Sequence, residues 1–326
     1  MRAIMVTHPG APEVLQLAEV PDPTPGPEEL LVRVRASALN RADTLQRRGL
    51  YPPPAGESEI LGLELAGEVE VIGSAVNGFA PGERVFGLVG GGGYAEKALI
   101  HYRMAMPIPT GWSFVQAAAV PEAFFTANET LFTLGNLAGG ETVLIHAGAS
   151  GVGTAGIQMA RYAGARVFVT AGSAEKIART IELGAEVGIN YKEEDFAVRV
   201  QALTDQVGID VVQDFIGAAY WQRNLQCLKV GGRLVLVGLM GGAKVEADLN
   251  TLLRKRLHII GSVMRSQSLA EKIAITQRFC DCWLPLLQSG AIRPVIDTSF
   301  PLVEAATAHR YMEENRNVGK IILTID

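Results

Sequence analysis

The spacing of apolar and polar residues changes along the chain. In the first third, short apolar runs are separated by proline-containing stretches, and they predict strands at 2–7, 30–36, 67–72, 84–88 and 94–100. Thirteen of the sixteen prolines lie between Pro9 and Pro121. Because proline is excluded from helix interiors and central strands, this region is predicted to be a β-rich, barrel-like domain with irregular loops.

The middle of the chain has a different pattern, with no proline from Glu122 to Leu284. Apolar strands alternate there with helical patterns, at 142–146, 166–170, 186–189, 210–214, 233–237 and 257–262. This alternation predicts a doubly wound parallel sheet of six strands. The last segment, 292–326, returns to short strands and is expected to rejoin the first domain. The predicted domains are therefore 1–122 completed by 292–326, and 123–291.

A turn of small residues at 147–153 joins the strand at 142–146 to an amphipathic helix predicted at 154–163. Small residues let the backbone approach a pyrophosphate, whose charge the amides at a helix N-terminus stabilise. Ser150 replaces the second glycine of the usual G-x-G-x-x-G pattern, but it is small enough to keep the turn. We therefore predict dinucleotide contacts from five residues of the turn: Gly148, Ser150, Gly151, Val152 and Gly153.

The strand predicted at 166–170 follows this helix, and the residues after the strand indicate which dinucleotide binds. NAD-specific folds usually place a carboxylate at this strand end to hold the ribose 2′-hydroxyl. Here the strand at 166–170 is followed by Gly172, Ser173 and Lys176, which offer a hydroxyl and an ammonium group to a 2′-phosphate. NADPH is therefore the predicted cofactor. Glu175 leaves an NAD-type contact open, and Lys176 has the alternative role of a solvated lysine.

Composition excludes several other classes of protein. The chain has 326 residues, 48% of them hydrophobic, and a net charge of −5 with scattered basic residues, so no nucleic-acid partner is expected. Neither a signal peptide nor an apolar stretch of membrane-spanning length is evident, so no membrane partner is expected. The three cysteines, Cys227, Cys280 and Cys282, make a disulfide framework improbable and favour a cytoplasmic location.

Four stretches, at 37–43, 49–54, 117–122 and 146–153, together resemble the medium-chain dehydrogenase/reductase superfamily. Within it they resemble the quinone oxidoreductase branch that includes ζ-crystallin, and most of all its tumour-suppressor-inducible NADPH:quinone oxidoreductase type. The resemblance extends over essentially the full length of the chain. It implies a GroES-like barrel domain, a Rossmann domain and a homodimer.

A metal site is not predicted. Catalytic zinc needs about three Cys, His or carboxylate ligands. No cysteine precedes Cys227, and the five histidines are isolated in the sequence. Where zinc alcohol dehydrogenases have a Gly-His-Glu sequence this chain has Gly62-Leu63-Glu64, and where they have a ligand cysteine it has Asn40. Without a metal to stabilise an alkoxide, alcohol oxidation is disfavoured.

Three residues are candidates for the catalytic site. Tyr51 lies in a loop stiffened by the three prolines that follow it, and its ring and phenol suit a flat acceptor; a simple loop anchor is the alternative. The resemblance places Asn40 and Asp43 beside the nicotinamide. Asp43 has the alternative role of N-cap for a helix beginning at Thr44.

The remaining cofactor contacts follow from the resemblance or from the ends of later strands. The resemblance adds Thr126, Tyr191 and, more weakly, Asn317. The fifth and sixth strands end near the same crevice of the sheet and add a further set: Gly238, Leu239, Met240, Met264, Arg265 and Ser266.

The predicted function is therefore hydride transfer from NADPH to a quinone or a related small electrophile, without zinc. The net number of electrons that the quinone receives is left open. Reduction of an alkenal or enoyl thioester is the alternative reaction, with Tyr51 as proton source. A non-catalytic NADPH-binding protein is the alternative from a different class. The apolar strand at 257–262 either pairs across a dimer or is covered by a local helix.

Overall fold

The computed structural model describes residues 1–326 and separates into two compact units. The first unit comprises Met1–Phe125 and Arg265–Asp326, and the second comprises Thr126–Met264. None of the helices has both the length and the apolar character needed to cross a membrane.

The strands are, in chain order, β1 (Arg2–Val6), β2 (Leu15–Glu19), β3 (Glu29–Ala38), β4 (Glu64–Ile72), β5 (Arg84–Leu88), β6 (Lys97–His101), β7 (Ala105–Pro107), β8 (Thr142–Ile145), β9 (Arg166–Ala171), β10 (Val187–Asn190), β11 (Ile209–Asp214), β12 (Leu228–Leu236), β13 (His258–Gly261), β14 (Ile296–Pro301) and β15 (Lys320–Thr324). The α-helices are α1 (Arg41–Arg47), α2 (Phe114–Ala118), α3 (Pro121–Asn128), α4 (Gly151–Tyr162), α5 (Ala174–Glu182), α6 (Phe196–Leu203), α7 (Trp221–Cys227), α8 (Leu249–Lys255), α9 (Leu269–Cys282), α10 (Leu284–Gln288) and α11 (Ala305–Glu313). A π-helical segment, Glu129–Leu134, continues α3.

The second unit contains the predicted doubly wound sheet. Its six strands are ordered β10-β9-β8-β11-β12-β13, and every neighbouring pair is parallel. The central strands β8 and β11 are buried along their whole length, as expected for strands covered by helices on both faces. The strand order reverses direction between β8 and β11, and open sheets of this kind bind ligands at the carboxyl ends of the strands at that point. The predicted fold class is confirmed.

The first unit is built on a seven-stranded sheet in which β3 is the central strand. It pairs antiparallel with β4, β6 and β15, so the C-terminal residues form part of this sheet. The strand expected at 94–100 begins at Lys97, because the backbone of Tyr94 hydrogen-bonds Leu61 and Ile4 instead. Strands β2 and β7 were not predicted, because β2 is mostly exposed and β7 has only three residues.

Residues 265–291 differ from the predicted boundary, since they lie in the first unit rather than in the Rossmann domain. The reason is aromatic packing. Phe279 of α9 lies 4.5 Å from Phe125 and 6.5 Å from Phe124, measured between ring centroids. Both α3 phenylalanines are at most 1% exposed, so they belong to the core of this unit.

Candidate active site

The turn between β8 and α4 has the geometry of an anion-binding site. Ser150 is the N-cap of α4, and its Oγ accepts a hydrogen bond of 3.0 Å from the amide of Gly153. The helix therefore begins at Gly151, three residues before the predicted start at Thr154. The amides of Gly151 and Val152 have no protein acceptor, so this first turn presents free N–H donors and the positive end of the helix dipole.

Glycine is required at two positions of the turn. A Cβ atom on Gly153 would lie 2.5 Å from the carbonyl oxygen of Ala147, and one on Gly148 would lie 2.7 Å from Cβ of Val169. Ala147 itself has a positive φ of 51°. The backbone thus folds tightly against the sheet. These residues fit a dinucleotide pyrophosphate.

At the carboxyl end of β9 the structure brings together four of the predicted cofactor residues: Gly172, Ser173, Lys176 and Tyr191. Ser173 is the N-cap of α5 and accepts a hydrogen bond of 3.3 Å from the amide of Lys176. A Cβ on Gly172 would lie 2.7 Å from the Tyr191 hydroxyl, so the phenol lies directly beside the turn. No carboxylate ends this strand, and Glu175 is exposed in the first turn of α5.

A buried histidine beneath this edge of the sheet was not predicted to contribute. His146 is fully buried, and its ring hydrogen-bonds Thr170 Oγ1 at 2.9 Å and Asn224 Oδ1 at 2.7 Å. Asn224 in turn donates to Asp214 Oδ2 at 3.1 Å. Burial lowers the pKa of His146 to about 4, so the ring is neutral at pH 7. The network ties together the ends of β8, β9 and β11.

The predicted contacts on later strands lie in both units. Gly238, Leu239 and Met240 form the loop after β12, with Leu239 and Met240 about half exposed. Thr126 begins the second unit and Met264 ends it. Three predicted cofactor residues lie in the first unit: Arg265, Ser266 and Asn317.

Two of those three residues have contacts within the first unit. The guanidinium of Arg265 donates to the carbonyl oxygen of Gly90 at 2.8 Å and to that of Tyr51 at 3.3 Å. Asn317 donates from Nδ2 to the carbonyl oxygen of Gly319 at 2.8 Å, which holds the turn before β15. Ser266 is exposed. Their cofactor roles stay predictions.

The first unit contains a buried ionic cluster around Asn40. Lys320 Nζ lies 2.7 Å from Glu64 Oε1 and 2.6 Å from Asn40 Oδ1, and Asn40 Nδ2 donates to the same Glu64 oxygen at 2.8 Å. All three side chains are less than 10% exposed. Sequence reasoning missed Lys320, whose only signal is a lysine at the start of an apolar strand.

The charge of Glu64 is therefore balanced by an ammonium group of the chain itself. No group of three or more His, Cys, Asp or Glu side chains is placed to hold a metal ion.

Asp43 lies beside this cluster and is fully buried. Its carboxylate accepts hydrogen bonds from the amide of Asn40 at 2.7 Å and from the Tyr94 hydroxyl at 3.2 Å. Burial raises the pKa of Asp43 to about 6. The N-cap alternative was wrong, because α1 begins at Arg41 and Asp43 is its third residue. The hydrogen bond from the Asn40 amide holds the start of α1. A role for Asn40 and Asp43 beside the nicotinamide stays a prediction.

Tyr51 and Glu122 lie in the same unit. The Tyr51 ring faces the Arg265 guanidinium at 5.3 Å, and no protein group hydrogen-bonds its hydroxyl. Burial raises the pKa of Tyr51, and the charge of Glu122 raises it further. The amide of Glu122 donates to Glu64 Oε2 at 2.9 Å. Glu122 belongs to the 117–122 stretch of the sequence, but it was not predicted as a site residue.

Comparison with known proteins agrees with this geometry. The model of the alcohol dehydrogenase GroES-like domain matches residues 26–110, and that of zinc-binding dehydrogenase matches residues 151–278. The quinone oxidoreductase of Pseudomonas aeruginosa is 38% identical over 96% of both chains. Among solved structures, Escherichia coli quinone oxidoreductase complexed with NADPH has a TM-score of 0.88 at 32% identity, covering 99% of both chains. CurK enoyl reductase has a TM-score of 0.89 at 27% identity, covering 100% of this chain and 99% of that one.

The GroES-like first unit and the Rossmann-type second unit define an oxidoreductase of the medium-chain dehydrogenase/reductase class. Within that class, the chain belongs to the quinone oxidoreductase family.

Proposed function

We propose that this protein is an NADPH-dependent quinone reductase that works without a metal ion. The observation that carries the proposal is the carboxyl edge of the second sheet, where a capped helix N-terminus and a strand end without a carboxylate lie side by side. The NADPH complex of the E. coli relative supports the same cofactor.

The residues that would hold NADPH divide by the part of the cofactor they suit. The amides of Gly151 and Val152 suit the pyrophosphate, and Ser173, Lys176 and Tyr191 suit the 2′-phosphate and adenosine side. When bound, NADPH supplies a hydride to an electron-poor acceptor. The protein contributes orientation of the reacting groups, exclusion of water and control of protons.

A quinone suits the first unit better than an alcohol or ketone. A reduced quinone spreads its negative charge over a ring and two oxygens, so it needs no Lewis acid beside one oxygen. An alkoxide would need such a partner. The Arg265 guanidinium lies over one face of the Tyr51 ring, so a flat acceptor would stack on the opposite face, and the Tyr51 hydroxyl can donate to a carbonyl.

An anaerobic assay of NADPH oxidation tests the proposal, with 1,2-naphthoquinone and a simple benzoquinone as acceptors. We expect turnover with at least one of them, and a much lower rate with NADH. Tight NADPH binding without turnover over a broad panel of acceptors would instead identify a non-catalytic NADPH-binding protein.

Enoyl or alkenal reduction is a second candidate, favoured by the likeness to CurK enoyl reductase and by the free Tyr51 hydroxyl. This reaction must deliver a proton to carbon, so a positioned acid matters more than in quinone reduction. Tyr51→Phe should then slow enal reduction much more than quinone reduction. Equal effects on both reactions would leave Tyr51 as a binding residue only.

We also propose a homodimer that pairs through β13. This strand is the last of its sheet, and His258 and Gly261 at its two ends are exposed. Unpaired strand edges of this kind favour association with a second copy. Light scattering should give twice the monomer mass of 34.8 kDa. A monomer at micromolar concentration would contradict the proposal.

A further inference from the structure

Glu122 lies in surroundings that disfavour its negative charge. It is the second residue of α3, and its amide is 2.9 Å from the carboxylate of Glu64. Its own carboxyl group has no hydrogen-bond partner or ion pair in the protein, although the residue is half-buried. A carboxylate in such a place loses part of its hydration and gains no partner from the protein in exchange.

The charges around Glu122 do not balance if every acid is ionised. Three acids contribute to this region: Glu122, Glu64 on β4 and Asp43 on α1. Two cations face them, Lys320 on β15 and Arg265. Lys320 is held by Glu64, and Arg265 is held by the carbonyl oxygens of Gly90 and Tyr51. One acid is therefore left without a countercharge.

Like-charged carboxyl groups that share a site cannot all ionise together. Glu64 has the lysine, and Asp43 accepts hydrogen bonds from backbone amides, so Glu122 is the group that keeps its proton. Consistently, burial and the Glu64 charge raise the pKa of Glu122 to about 8, against opposing effects of Lys320 and Arg265. Besides burial, the charge of Glu122 raises the pKa of the Tyr51 phenol, whose ring lies 5.3 Å from the Arg265 guanidinium.

We propose that Glu122 is a protonated acid of the acceptor site at neutral pH and that it supplies a proton to the reduced acceptor, directly or through the Tyr51 hydroxyl. The inference rests on the proposed quinone reductase function.

The quinone gains a hydride, which carries two electrons and one proton, and becomes a hydroquinone monoanion. The carboxyl of Glu122 gives its proton to that anion, the O–H bond of the hydroquinone forms, and Glu122 is left as a carboxylate. A proton from water then restores the acid before the next turnover.

Unfolding of the cofactor-free protein tests the protonation state without any activity measurement. An acid whose pKa is raised by folding contributes stability that is complete below its ordinary value of 4.5 and is lost as the pH rises towards about 8. Parent and Glu122→Gln are unfolded with urea at pH 5, 6.5 and 8. The ratio of their unfolding constants should change in favour of the variant by up to about tenfold per pH unit.

The matched control is Glu59→Gln, which makes the same chemical change at an exposed residue of the same unit. Its unfolding constant should keep a fixed ratio to that of the parent. If Glu122→Gln behaves like this control, Glu122 is ionised in the folded protein and the inference is wrong.

The pH dependence of quinone reduction tests the catalytic part. In the parent, kcat should fall as the pH rises through about 8. Glu122→Gln should remove this fall of kcat with pH and lower kcat by roughly tenfold at pH 7. That loss is smaller than the usual ~10²-fold for a general acid, because water also protonates a hydroquinone anion. Glu122→Asp should restore the fall of kcat with pH, and KM for the quinone should change little.

The outcomes separate the two proposals. If none of the acceptors tested supports NADPH oxidation by the parent, the proposed function fails, whatever the unfolding experiment shows. If the parent is active and Glu122→Gln keeps both its rate and its pH profile, the quinone reductase stands and the role of Glu122 is overturned.

Discussion

The two units build their candidate sites from different chemical groups. In the second unit the site is made mostly of backbone: amides at the start of α4 and glycines that allow a tight turn. In the first unit it is made of side chains, with Lys320, Glu64 and Asn40 in mutual contact and Glu122 beside them. The backbone amides of the second unit do not titrate, so their partial charges are the same at every pH. The carboxyl and ammonium groups of the first unit can gain or lose protons.

This difference suits a division of labour. A cofactor common to many reactions needs a rigid anion site that does not change with pH, and backbone dipoles provide it. Control of protons needs titratable groups in surroundings that shift their pKa values. The same contrast predicts that substitutions in the buried cluster around Glu64 affect stability and pH dependence, whereas those in the turn before α4 affect cofactor affinity.

The largest effect is expected for Lys320→Met. Removing the ammonium leaves the carboxylate of Glu64 buried and without its cation, which typically costs about 3–5 kcal/mol. Urea unfolding measures the loss in the free energy of unfolding. Adding Glu64→Gln to Lys320→Met should recover most of it. A double variant as unstable as the single one would show that the lysine acts through packing alone.

A smaller effect, on affinity, is expected for Gly153→Ala. The new Cβ would meet the Ala147 carbonyl oxygen at 2.5 Å, so the turn must shift away from the pyrophosphate. NADPH affinity measured by calorimetry should fall roughly 10- to 100-fold, or ~1.4–2.8 kcal/mol. Gly139→Ala is the control, because it makes the same change before β8, at the opposite end of that strand from the turn, where the nearest atom to the new Cβ is the Ala163 carbonyl oxygen at 3.0 Å. Unchanged affinity for Gly153→Ala would place the pyrophosphate elsewhere.

The preference for NADPH over NADH tests whether Ser173 and Lys176 contact the 2′-phosphate. Combining Ser173→Ala with Lys176→Gln should raise KM for NADPH roughly tenfold and leave KM for NADH nearly unchanged, because only NADPH carries the 2′-phosphate. Loss of the Ser173 cap also costs ~1 kcal/mol of stability, but this affects both cofactors alike. Parallel increases in the two KM values would contradict the phosphate contact.

The smallest effect is expected for Arg166→Ala. Arg166 and Glu186 form a hydrogen-bonded ion pair at 2.7 Å, but both side chains are about half exposed. Exposed pairs contribute about 0.2–1 kcal/mol, so the free energy of unfolding should change by less than ~1 kcal/mol. A loss as large as that of Lys320→Met would remove the distinction between buried and exposed charges.

The two sites also differ in how much of each could be predicted from the sequence. The turn at 147–153 lies in one short segment, so its residues, their spacing and the strand and helix around it could be identified directly. Only the helix start was misplaced, because Ser150 was taken as a ligand contact and its role as N-cap was not considered.

The first-unit cluster could not be predicted in the same way. Asn40, Glu64 and Lys320 come from three strand or helix ends, and 256 residues separate Glu64 from Lys320 in sequence. No pattern in the sequence near Lys320 indicates that β15 pairs with β3, or that the register of this pairing brings Lys320 to Asn40. Glu122 shows the same limit, because its protonation depends on groups distant in sequence.

Anaerobic quinone reduction by chelator-treated protein, with its metal content measured, shows whether turnover needs a metal ion. We expect NADPH oxidation by 1,2-naphthoquinone at the same rate before and after treatment, because the cation beside Glu64 is Lys320. Loss of turnover that is restored by one equivalent of a divalent metal would contradict the account.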